Sequence, residues 1–176
     1  GAPGYFVTNE MAQITNWSTK FHGPLNGMWT YPCYPTEGTE LSGFSCFPGF
    51  SARRAAWEMQ YFHTNRNRGN NNCGGAEMVD RYMIVKCEDD PYLNPETLLG
   101  NLFTNLYGPA ATPMVTMYAE QEAAFSTLTN YPAPVNGAGN VYGESVAWGS
   151  IGTAARMAQW QIYMDQAKAA ATAEPY

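Results

Sequence analysis

The chain has 176 residues, a net charge of −6, and equal shares, 14% each, of charged and aromatic residues. Few charges with many aromatics exclude wholesale disorder, which needs the reverse balance. An acidic chain is also a poor general ligand for nucleic acid, whose phosphates select Lys and Arg, and no apolar run is long enough to span a bilayer.

The length suits one domain, 1–176, with irregular regions at 24–50 and 65–75. The fold class expected is mainly α, with three to five helices, a disulfide-stapled irregular region and room for a small β-sheet. Residues 1–7 read as an extended arm carrying Tyr5, Phe6 and Val7. Thr8 or Asn9 then caps a helix to Phe21, with Met11, Ile14, Trp17 or Ser18, and Phe21 on one face. Gly23-Pro24 ends it. From there to Phe50, prolines and glycines interrupt any sustained period, and aromatic side chains accumulate.

Ser51 is placed to cap a helix from Ala52 to His63, with Ala55, Ala56, Met59 and Phe62 inward. The stretch NRNRGNNNCGG that follows reads as a polar loop, rich in residues that tolerate positive φ. Glu77 to Cys87 mixes two periods and is expected to pass from a short helix into a strand. Asn94-Pro95-Glu96 is a helix start on three counts: a capping amide, a proline in the first turn and an acid at the positive dipole end. Gly108-Pro109 closes that helix and Thr112-Pro113 opens the next, to Leu128. A loop covers 130–143, and the longest helix is expected from Ser145 to Ala171, weakened by Gly149 and Gly152. The expected core is Leu98, Leu102, Phe103, Leu106, Phe125, Ile151 and Trp160.

Cysteine usage points outside the cytosol. Cys33, Cys46, Cys73 and Cys87 lie in turn-rich sequence without a C-x-x-C spacing. Two local disulfides, Cys33–Cys46 and Cys73–Cys87, are preferred among the possible connectivities, each closing a short loop at about 3 kcal/mol in the chain-entropy model. The N-terminal Gly1-Ala2-Pro3-Gly4 fits the end left by signal cleavage. A secreted or cell-surface location follows, with the periplasm as a variant. The sequon Asn16-Trp17-Ser18 is compatible with it.

The nucleophile-elbow, phosphate-loop, zinc-protease and dinucleotide signatures are not met, and no cofactor is called for. Glu88, Asp89 and Asp90 form an acidic run that offers oxygen ligands to Ca²⁺, or simply caps the helix ahead. His63 and His22 sit near helix ends, where histidine favours the dipole. The main lead is the aromatic loop: Trp29, Tyr31, Tyr34, Phe44 and Phe47 are candidate ligand or partner contacts, since aromatics offer large area at low entropy cost. Alternatively they bury one another as a satellite core. Gly149, Gly152 and Trp160 mark a candidate assembly helix.

Charge is segregated as well. Six of the nine bases fall between Arg53 and Lys86, while Glu88 to Glu144 holds seven acids and no base. The leading expectation is therefore a non-enzymatic extracytoplasmic assembly subunit, of a surface, filament or capsid-like kind, partnering itself or another protein. The alternative is a secreted carbohydrate-binding module, or a small glycan hydrolase with paired carboxylates and aromatic walls.

Overall fold

The computed structural model describes residues 4–20, 26–30, 43, 45–72, 77–132 and 143–172. The protein is mainly helical, with a small two-stranded parallel sheet. The chain forms two compact units, Gly1–Tyr34 with Ser51–Leu93, and Pro35–Phe50 with Asn94–Tyr176.

The first unit contains α1 (Gly4–Lys20), β1 (Asn26–Thr30), α2 (Ala52–Thr64), β2 (Asn67–Asn72) and α3 (Met78–Asp89). Helix α1 begins at Gly4, so the arm expected at 1–7 is helical over its described part. Tyr61 ties α1 to α2: its hydroxyl donates to Met11 O at 2.8 Å and lies 2.7 Å from Thr15 Oγ1. The core is the seam between α2 and α3. Ala52, Ala55, Ala56, Met59 and Phe62 bury from one side, and Val79, Met83, Ile84 and Cys87 from the other. Alanines at this seam let the helices approach closely, and Met83, 0% exposed, fills the gap they leave.

Ser51 does stand at the start of α2, but its side chain makes no cap bond. Buried Asp80 of α3 supplies the oxygen instead, accepting Ser51 N–H at 2.9 Å and placing a carboxylate at the positive end of α2. At the far end, Arg66 at φ 62° turns the chain sharply out of the helix, with its N–H on His63 O.

Two expectations in this unit give way. The asparagine-rich stretch after α2 forms strand β2, paired parallel with β1 through Met28↔Asn70, Trp29↔Asn71 and Thr30↔Asn72. A bulge precedes that register, and Gly69 at φ +92° sits within it. Side-chain bonds compensate for poor strand propensity: Thr30 Oγ1 donates to Asn72 Oδ1 at 2.6 Å and Asn70 Nδ2 to the same oxygen at 3.0 Å. The segment expected to become a strand near Met83 stays helical to Asp89, because Met83, Ile84 and Cys87 then share the face against α2.

The second unit contains α4 (Pro95–Tyr107), α5 (Ala111–Ser126) and α6 (Ala154–Ala171), with short helical turns at Gly108–Ala110 and Leu128–Asn130. The start of α4 is as expected: Asn94 Oδ1 accepts Glu96 N–H at 2.9 Å and Thr97 N–H at 3.2 Å. Asn94→Ala is expected to cost about 1 kcal/mol of stability, measured by urea denaturation. Leu98 and Phe103 are buried as expected, with Leu99 beside them, whereas Leu106 stands exposed on the outer side of α4.

The long helix expected from Ser145 is broken. Glu144–Val146 makes one turn, and Ala147–Ile151 a π-helical turn closed by Gly152 N–H on Ala147 O at 2.7 Å. Thr153 then caps α6 through its side chain, which accepts Arg156 N–H at 3.4 Å. Arg156 holds the break together, donating to Ser150 O, to Ile151 O and to Asn130 Oδ1. Around it Phe47, Ala124, Tyr131, Val146, Ala147, Ile151 and Trp160 form one core cluster, and Ala110, Met114 and Ala167 another. The extended segment 45–50 is pinned to this unit by Trp148 Nε1–H on Ser45 O at 2.7 Å and by Gln121 Nε2–H on Pro48 O.

The expected disulfides require correction. No disulfide is present among the described residues, and Cys87 carries a free thiol inside the α2–α3 seam. Cys33 and Cys73, the expected partners of Cys46 and Cys87, lie outside the described residues. Burial first, and the Asp90 carboxylate second, push the Cys87 thiol up, which makes it a poor nucleophile at neutral pH.

Candidate functional surfaces

The aromatic lead divides into separate fates. Tyr31, Tyr34 and Phe44 lie outside the described residues. Phe47 is 4% exposed and belongs to the core of the second unit, stacked at 6.3 Å on Phe125 and tilted against Trp148 and Trp160. It is a packing residue of that core, and these ring partners lie outside the aromatic loop. Gly49 beside it shows how close the packing is: a Cβ there would stand 2.1 Å from the Phe125 ring. Trp29 is the member left on a surface, in the first unit, with 59% of its area exposed.

Strand geometry explains the exposure of Trp29. Successive side chains point to opposite faces. Thr30, Asn70 and Asn72 are bonded to one another on the inner face, and Asn70 Nδ2 approaches Met59 Sδ of α2 at 3.9 Å. Trp29 and its register partner Asn71 therefore turn outward. The inner network extends to α3, where the amides of Asn70 and Asn72 bond Glu88. Burial pushes the Glu88 carboxyl up, and these two amides offset part of that rise.

That engagement also takes Glu88 out of the expected calcium cluster. Asp90 ends α3 and accepts Tyr92 N–H at 3.0 Å. Among the described residues no three His, Cys, Asp or Glu side chains gather where they would hold a metal ion. Consecutive carboxylates on a helix are swung about 100° apart per residue and so diverge rather than chelate. His63 lies edge-on to Tyr92 at 5.7 Å, and His22 lies outside the described residues.

The assembly residues also have definite places. Trp160 is buried in the core of its own unit, which leaves it no face for a partner. A Cβ on Gly152 would meet the Trp148 ring at 2.7 Å and Ala147 O at 2.9 Å, so its small size serves the π-helical turn. Gly149 is exposed, with open space around it. The opposite side of α6 is a different surface. Ala155, Ala158, Ile162 and Ala169 are all exposed, and their spacing of three, four and seven residues puts them on one stripe, with the exposed Asp165 between Ile162 and Ala169. Ile162 is 49% exposed at its centre. The signal was present in the sequence as a helix apolar on more than one side.

No helix among the described residues is long and apolar enough to cross a membrane. No protein family model, no curated protein and no solved structure matches this chain.

Proposed function

We propose that this chain is a non-enzymatic structural subunit that assembles, outside the cytoplasm, with copies of itself through the outer face of α6. The observation that carries this reading is the stripe Ala155, Ala158, Ile162 and Ala169, exposed on a helix whose other side already packs its own core. A surface helix ordinarily turns polar side chains to water. Here small residues flank an isoleucine at near-heptad spacing, which suits close approach of a second helix. Burying the exposed half of Ile162 contributes about 1 kcal/mol per subunit.

Size-exclusion chromatography with light scattering, over a concentration series, tests the assembly. The expected mass is a multiple of 19.4 kDa, returning to the monomer value in Ile162→Lys with an unchanged far-UV circular dichroism spectrum. A wild-type chain that stays monomeric at every concentration overturns the proposal.

A further inference from the structure

The outer side of α3 carries an apolar face exposed to solvent. Val79, Asp80, Met83, Ile84 and Cys87 are buried on one side of this helix. Met78 and Val85, seven residues apart, lie on the other, with 49% and 58% of their area exposed. The exposed Arg81 stands between them. Two turns of helix bring residues seven apart onto one line. The stripe therefore runs apolar, cation, apolar, at spacings of three and four residues. The assembly face of α6 has the same form with the opposite charge. Ile162, Asp165 and Ala169, all exposed, follow one another at three and four residues. Gln161 Nε2–H on Asp165 Oδ1 at 2.9 Å steadies the carboxylate.

We propose that the α6 face of one copy docks on the α3 face of a second copy, with Ile162 against Met78, Asp165 against Arg81 and Ala169 against Val85. This docking rests on the assembly of copies through α6 and names the surface that α6 meets. Two helices of equal spacing, laid side by side in the same direction, bring each position against its counterpart. An uncharged apolar face is a worse partner for α6, because it would strip water from the Asp165 carboxylate and replace it with nothing. Two α6 faces in register would set Asp165 against itself, and like charges held together cost affinity. Arg81 supplies the opposite charge, and its guanidinium fork matches a carboxylate. Its aliphatic stem adds to the apolar contact on either side. The small Ala169 leaves room for the branched Val85 side chain. Because α3 and α6 are different faces, the contact is heterologous. Each copy fills one face and offers the other, so addition continues into a ring or an open filament.

Two variants that each lose one face provide the test, read by light scattering. Val85→Lys and Ile162→Lys, each alone, are expected to be monomers of 19.4 kDa with unchanged far-UV circular dichroism. Mixed, they should form a heterodimer of twice that mass and nothing larger, because one intact pair of faces survives. Arg81→Glu and Asp165→Arg should each weaken association at least about tenfold, and the double variant should recover it. Assembly that Ile162→Lys breaks and Val85→Lys leaves untouched overturns this docking while assembly through α6 stands. So does a mixture that stays monomeric, or a double variant that associates no better than the singles. A wild-type chain that is monomeric at every concentration overturns both.

Discussion

Phe47→Ala is expected to lower the unfolding free energy by about 3–5 kcal/mol, the range for truncating a buried phenylalanine. The side chain lies among Phe125, Trp148 and Trp160, with ring centroids 5.7–6.3 Å away. The Trp148 ring is held by a further bond and cannot simply collapse into the gap. Trp148 donates to Ser45 O, and Tyr131, in the same cluster, donates to Phe125 O at 2.6 Å. Loss of Phe47 therefore leaves a cavity as well as removing transfer energy and aromatic contacts. Urea denaturation followed by tryptophan fluorescence and by circular dichroism gives the measurement. A loss below about 1 kcal/mol would mean that Phe47 is not a core residue and would restore it as a candidate surface contact.

A second large effect is expected in the first unit. Met83→Ala should cost about 2–5 kcal/mol. Met83 is fully buried, and the alanines opposite it on α2 have no longer side chains that could swing into the vacated space. Met83→Leu, which keeps the volume, should cost less than about 1.5 kcal/mol. The pair of variants separates packing from any effect on helix propensity, since leucine, methionine and alanine are all good helix formers. Hydrogen exchange of the α2 and α3 amides would localise the loss: protection should fall in both helices for Met83→Ala. Protection unchanged in α2 would show that the seam does not depend on this side chain.

Several carboxylates among the described residues are engaged within the fold. Asp80 accepts the Ser51 N–H at the start of α2, Asp90 closes the turn after α3, and Glu88 binds the strand amides. Each is engaged with backbone or amide groups, and the Tyr163 hydroxyl similarly donates to Glu120 at 2.7 Å between α6 and α5. Acids distributed in this way stabilise helix ends and strand contacts.

What could be read from the residues alone was whatever a single turn of chain decides. Asn94-Pro95-Glu96 begins a helix because the cap, the proline and the acid all act within four residues. The inward face of α2 was legible because Ala55, Ala56, Met59 and Phe62 repeat at the helical period. The mainly helical class followed from several such segments. Tertiary contacts decided the rest. The asparagines of β2 lack strand propensity, and they become a strand because β1, some forty residues earlier, offers a ladder and a threonine hydroxyl. Whether an aromatic binds or packs is likewise a question of what lies across from it. Trp29 faces outward because its neighbours Thr30 and Asn70 bond inward, and Phe47 is buried because Phe125 and Trp160, far along the chain, close over it. Caps and periodicity are local energies, written in adjacent residues. Burial and strand pairing depend on partners distant in sequence, and those are chosen only when the chain has folded.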